Sequence, residues 1–332
     1  MLLELDSDQR LWQKTVQEFL AKECSPGWVR RVVEDGSDPD PLWRAIVAQG
    51  WTELAEVAET VELAIALEEL GRASDPTPYL ATMTHFAPLT GTTPADGHAG
   101  AAAYSGVNAA RVGDGWVLDG IARSVVDGDR ARQIAVVTGA GVFVVDAEQV
   151  TARRVPIFDP LLHVADLSFT GVRVADDRRV TVDVDAARRR VLVGLAATIV
   201  GACQRILDLT LEHVGSREQF GAAIGSFQAV KHKAADMHVA IERARALTHF
   251  AALSIAADTA EAQLAASMTK AAAGECQSLV FRNGYQLFGA MGYTWENDLQ
   301  FALKRAKAAD LLFGGADHHR ALITEGYRAT QL

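Results

Sequence analysis

The residues of this chain best suited to chemistry lie in one loop, Arg217-Glu218-Gln219-Phe220-Gly221 through Phe227-Gln228. It offers one fixed cation, two amides, two aromatic rings and glycines that let a ligand approach the backbone. A guanidinium fork beside a ring suits a pyrophosphate next to a planar base. The same residues also suit a loop salt bridge and a buried ring at a helix end, and spacing alone leaves both open. A second run, Tyr285-Gln286-Leu287-Phe288-Gly289-Ala290-Met291-Gly292-Tyr293-Thr294-Trp295-Glu296, reads by itself as a glycine turn between helices. Asp317-His318-His319 could form a catalytic or metal cluster, or a solvated helix start after Gly315; no third ligand stands near, so no metal site is assigned. Arg188-Arg189-Arg190 could meet phosphates or form a solvated helix face.

The elements that must position these groups are mainly helical. Asp6 or Ser7 can cap a first helix with Leu11, Trp12, Val16, Phe19 and Leu20 on one side. Trp43, Ile46, Val47 and Trp51 suggest another, and Leu63, Ala66, Leu67 and Leu70 a third that Gly71 ends. From about Gly91 to Asp177 the hydrophobic period becomes two. Strands are expected at 116–118, 134–138, 142–146, 167–169 and 172–174, with a hairpin at Gly139-Ala140-Gly141. Helices are expected again over 186–214, 227–258, 260–288 and 297–313, as an up-down bundle. Val230, Ala234, Met237, Ile241, Ala244 and Ala251 mark one packing seam. Val191, Leu195, Thr198, Ala202, Ile206 and Leu209, with Ile199 and Cys203, make the first of these helices apolar over more than a core face. Left in water, such a face would risk aggregation. The implied domains are 1–90, 91–180 and 181–332.

Composition narrows the function. The 332 residues suffice for a real core, and the formal charge of −10 argues against nucleic acid or anionic membrane as partners. Three distant cysteines, Cys24, Cys203 and Cys276, without a CxxC, argue against a disulfide framework or zinc site and for a reducing compartment. The start MLLELDSDQR lacks a signal-type apolar run, and no stretch of about 18 uncharged apolar residues is present; no membrane span and a cytoplasmic location are expected.

Two motifs carry a resemblance. Arg217, Gln219, Phe220, Gly221, Ile224, Phe227 and Gln228, followed by Ala235-Asp236, are similar to the RxQFGxxIxxFQ segment of the acyl-CoA dehydrogenase family. The 285–296 run resembles that family's QxxGGxGYTxE, with Ala290 for one Gly. ALEELGR at 66–72 resembles the end of its N-terminal helical domain, and the run from Gly113 to Gly128 its middle β-domain line. The resemblance implies a mainly α chain: N-terminal helical domain, small middle antiparallel β-barrel, C-terminal four-helix bundle. It further implies FAD shared at a subunit interface and contacted by Arg217, Gln219, Phe220, Phe227, Gln228, Gln286, Leu287 and Gly289. An acyl-CoA substrate and an electron-transfer flavoprotein as acceptor follow from it too. So does dimerisation through the bundle, which would cover the apolar face of the 186–214 helix.

The departures from the family pattern change the expected role. The W-I-T residues that touch flavin in relatives fall on Ser124 and Val126, and the segment upstream is unrecognisable around Ala103-Tyr104-Ser105-Gly106. The glycine-rich turn after Trp51 is shortened. The two positions where relatives carry the catalytic Glu fall on Phe313 and Val191, so no catalytic residue is assigned. The expectation is a base-less accessory subunit that completes the FAD site of a homologous acyl-CoA dehydrogenase chain in an α2β2 assembly. Its substrate would be a bulky acyl-CoA, steroid side-chain thioesters among them. The alternatives are a homo-oligomeric enzyme with a displaced base, Asp317 or Glu296, and a flavin-free scaffold.

Overall fold

The computed structural model describes residues 4–329. The chain divides into two compact units. The first holds residues up to 37, 61–75 and 192 onward; the second holds 38–60 and 76–191.

In the first unit, helix α1 (Ser7–Glu23) begins with a capping box. The Asp6 carboxylate accepts the Asp8 and Gln9 amides, and the Gln9 side chain returns to the Asp6 amide. Helix α2 (Pro26–Glu34) follows, and α1 docks on α4 (Thr60–Ala73). That contact uses the Trp12 indole on the Glu62 carbonyl, and Gln13 and Gln17 on the Glu69 carboxyl. Gly71 does not end α4, which runs on to Ala73. Its role is close approach: a methyl on Gly71 would overlap the backbone of Thr198, and one on Gly201 the carbonyl of Glu68. Two glycines thus bring α4 and α6 (Val184–Ser216) together backbone to backbone.

Helices α7 (Gln228–Ala256), α8 (Ala262–Phe288) and α9 (Leu299–Leu311) complete the expected bundle positions, and a fifth, α10 (Ala316–Ala329), packs on α8. Met237, Ile241, Ala244 and Ala251 of the expected seam are fully buried. The expected dimerising face of α6 is corrected: Val191, Leu195, Ala202, Ile206, Ile199 and Cys203 are all at 0% exposure, covered by this chain itself. A helix apolar all round is a core helix. By length and composition α6 could cross a membrane, yet 83% of its most apolar window is buried inside the fold.

In the second unit, α3 (Asp40–Ala48), a π-helical segment at Ala81–Phe86 and the short α5 (Ala87–Thr90) accompany eight strands. These are β1 (Gly100–Ala103), β2 (Val107–Val112), β3 (Gly115–Val126), β4 (Gln133–Thr138), β5 (Gly141–Asp146), β6 (Thr151–Arg154), β7 (Val164–Ala175) and β8 (Arg179–Val180). They form two separate four-stranded sheets, β1-β4-β5-β8 and β2-β3-β7-β6. The expected closed antiparallel barrel is therefore wrong. Among the described residues no ladder joins the edges of one sheet to the other, and β1 pairs with β4 in parallel. The sheets instead share one apolar core, with Leu118, Ile134, Phe143, Leu167 and Phe169. Alternation in sequence reveals which face is buried, not whether edges pair, so sandwich and barrel look alike at that stage. The Gly139-Ala140 turn does join β4 to β5, and the two expected late strands are one, β7.

Candidate functional site

The loop after α6 is a two-residue hairpin. Strand β9 (Glu218–Gln219) pairs with β10 (Ala222–Ala223), and the turn residues Phe220 and Gly221 have φ of 57° and 77°. Two positive φ values make a primed turn, natural for Gly221 and strained for Phe220. The strained residue projects its ring into solvent: Phe220 is 94% exposed, and Phe227 stands edge-on to it at 6.3 Å. Arg217 closes α6 through its amide on the His213 carbonyl, 2.9 Å, and its own carbonyl accepts from the Ile224 amide, 2.8 Å. The guanidinium of Arg217 and the amides of Gln228 and Gln286 have no partner among the described residues. Gln219 spends one N–H on the neighbouring Glu218 carbonyl, 2.7 Å.

Gln286 is exposed near the end of α8, with Leu287 turned inward. Gly289 follows at φ 58°, ψ −140°, a region open in practice to glycine alone. Ala290 has no positive φ, so its methyl is accommodated. Tyr293 is 76% exposed and stacks on Tyr285 at 4.6 Å.

The two motif segments are tied together by a contact that sequence reading missed: His213 at the end of α6 stacks on Phe288 at the end of α8. Burial, then Arg217, hold the His213 imidazole below its ordinary value, favouring the neutral ring. Arg30 of α2 was also missed. It binds the Trp295 and Glu296 carbonyls and the Asp298 carboxylate, fixing the tail of the second motif.

The two expected base positions are apolar in place. Val191 is fully buried. Phe313 sits half-buried at φ 55° in a loop held from below. The wholly buried Lys270 donates to the Asp310 and Gly314 carbonyls, each at 2.8 Å, and His319 Nε2 meets the Phe313 carbonyl at 3.0 Å. Burial brings the Lys270 ammonium down to about 8 and the His319 imidazole to about 4. A lone lysine in an alanine-rich helix was the available signal. Asp317 does not join His318 and His319: its side chain is fully exposed toward Arg320 while His319 points inward. Among the described residues no group of three or more His, Cys, Asp or Glu could hold a metal ion. Glu296 is exposed.

The triple arginine of the second unit is not one face. Arg188 lies over Tyr104, Arg189 is near Asp183, and Arg190 is 5% exposed, brought down to about 10 by burial. In β3, Ser124 sits in the register break between Ala122 and Val125, its amide held by the Asp166 carboxylate at 3.1 Å. Val126 is 3% exposed and paired with Val164. Neither presents an aromatic surface.

The acyl-CoA dehydrogenase C-terminal domain profile matches residues 188–327, which include both motif loops. The chain is 30% identical over 323 residues to acyl-CoA dehydrogenase IpdE2 of Mycolicibacterium smegmatis, covering 93% of this chain and 96% of that protein. It is 30% identical over 332 residues to the protein of the same name from Mycobacterium tuberculosis, covering 96% and 97%. The chain belongs to the acyl-CoA dehydrogenase family. Its fold matches that of a chain in the ChsE4-ChsE5 complex from Mycobacterium tuberculosis with a TM-score of 0.88 at 23% identity, over 99% of each chain. As a family member it spans nearly the whole length of these relatives.

Proposed function

We propose that this chain is the accessory, base-less subunit of a heteromeric FAD-dependent acyl-CoA dehydrogenase, supplying contacts to an FAD seated in a homologous partner. The observation that carries the reading is a division within one chain. The groups at the base positions, Val191 and Phe313, cannot take a proton, whereas Arg217, Gln228 and Gln286 present polar groups that nothing among the described residues uses.

That donor set fits the phosphates and amide-reading edges of a flavin nucleotide approached from outside. Arg217 would hold phosphate, with Phe220 and Phe227 covering the nucleotide from water. Gln219, Gln228, Gln286, the Leu287 backbone and Gly289 would complete the contact. When bound, FAD accepts the hydride from the acyl-CoA, and the partner provides the base. The residues around Ser124 and Val126 do not offer a flavin ring a flat surface, which supports the reading that this chain holds no flavin of its own. Assembly as α2β2 with two FADs, a bulky acyl-CoA such as a steroid side-chain thioester, transfer to an electron-transfer flavoprotein and a cytoplasmic location complete the proposal.

The test is co-expression with a homologue that carries a Glu at either base position, followed by native mass spectrometry and flavin quantification. Two flavins per heterotetramer are expected. Four flavins, or a homo-oligomer that turns over acyl-CoA without the homologue, would refute the reading.

A further inference from the structure

A cavity of about 320 Å³ opens among α1, α2, α4, α6 and α9 of the first unit, and none of the candidate cofactor residues lines it. Leu20, Val29 and Phe301 give it an apolar wall. Most of its charged groups are already committed. The Glu69 carboxyl accepts from Gln13 at 3.0 Å and Gln17 at 2.7 Å. Asp298 takes Arg30 at 2.6 and 3.2 Å, and Arg72 takes Asp208 at 2.7 and 3.1 Å. One cation is left. The half-buried Arg205 guanidinium lines the cavity and has no hydrogen bond or ion pair among the described residues. Ser74, 5% exposed, also lines it; its hydroxyl has no partner either, and its φ of 59° is a strained ending for α4.

One unspent guanidinium and one unspent hydroxyl in an apolar cavity call for a ligand with a single negative charge and an apolar body. A phosphate ester with two charges would need a second free cation, and Arg72 is held by Asp208. Burial pushes the Glu69 carboxyl up from its ordinary value, which lessens its repulsion of an anion. The volume suits a molecule of about ten non-hydrogen atoms. We propose that this cavity is a second ligand site, taking a short amphipathic carboxylate. The carboxylate would meet Arg205 and Ser74, and the hydrocarbon would lie against Leu20, Val29 and Phe301.

The experiment is isothermal titration of the full-length protein with octanoate, with octan-1-ol and inorganic phosphate as comparison ligands. One octanoate site per chain is expected, with octanol bound about tenfold more weakly or worse and phosphate alone not bound. Arg205→Gln should weaken octanoate by about the same factor. Ala21→Trp, at an exposed position on the cavity rim, should abolish binding without disturbing the core. Absence of octanoate binding, equal affinity for octanol, binding of phosphate alone, or unchanged affinity in either variant would each overturn the proposal. Arg205 and Ala21 are not in the flavin-contact set, so the result is independent of the reading given above.

Discussion

The imidazole of His213 lies on the ring of Phe288 with centroids 4.4 Å apart and planes 11° from parallel. It joins the helix that leads into the Arg217 hairpin to the helix that ends in the Gln286–Gly289 turn. Both candidate cofactor segments are therefore aligned by one contact. His213→Ala should lower stability by about 1 kcal/mol, the scale of an aromatic pair. It should also weaken flavin retention in the complex although His213 is not in the contact set. Denaturant titration and flavin release measured on the same variant check both parts.

The α4–α6 crossing predicts a sharper effect. Gly201→Ala drives a methyl into the Glu68 carbonyl and Gly71→Ala one into the Thr198 backbone. Backbone cannot step aside as a flexible side chain can, so each should cost about 2–3 kcal/mol. Gly215→Ala, in the same helix with nothing within 4 Å, should be neutral or stabilising by up to about 1 kcal/mol. Urea midpoints of the three variants give the comparison.

The Phe313 loop hangs on Lys270 and His319. Lys270→Met leaves the Asp310 and Gly314 carbonyls without their buried donor and should cost about 2–4 kcal/mol. His319 carries a pH dependence. Its folded-state value near 4, set by burial and then by Lys270 and His318, lies below the unfolded value of about 6.5. The unfolded chain thus binds the proton first. The stabilisation is complete above about 6.5 and is lost as pH falls toward 4. The buried His85, also brought to about 4, has the same sign. Melting temperatures from pH 7.5 to 5 should fall, and His319→Gln should flatten the slope.

Much of the helical frame was legible because it rests on local signals. The Asp6 cap, the apolar stripe of α1 and the glycines between bundle helices each act within a few residues. What was not legible depends on distant partners. Gly71 looked like a helix stop because its real contact, Thr198, is far along the chain. The apolar surround of α6 looked like an intermolecular face because the residues that meet it, Glu68 and Gly71 of α4 and Gly284 of α8, lie far from it in sequence. Alternation over 116–174 could not separate two facing sheets from a closed one. At the site, the motif loops were visible as residue types, while the His213–Phe288 stack and the Lys270 clamp depend on side chains meeting across helices.

Arg217 and Gln286 should differ in the complex. A guanidinium lost from a desolvated phosphate weakens binding roughly thirtyfold or more. A neutral amide lost from Gln286 should weaken it about fivefold to thirtyfold. Flavin titration of the apo-complex with Arg217→Ala and Gln286→Ala should show that order. Unchanged affinity in Arg217→Ala would remove this hairpin from the flavin site.

Phe313→Glu tests whether a base alone is what the chain lacks. The backbone there is already in the left-handed region and anchored by His319 and by Lys270 one residue on, so a carboxylate can occupy the position without rebuilding the loop. If only the base were missing, this single change would create turnover. The second unit argues against that. Ser124 sits in a strand bulge with its amide committed to Asp166, and Val126 is buried against its own ladder, so neither gives a flavin ring a stacking surface. A base without a placed hydride acceptor does no dehydrogenation. The variant chain purified alone should therefore bind FAD as poorly as the parent and show no acyl-CoA oxidation with an artificial electron acceptor. Stoichiometric flavin and measurable turnover from Phe313→Glu alone would mean that the second unit does place a flavin, and that the chain is a silenced enzyme and not an accessory half.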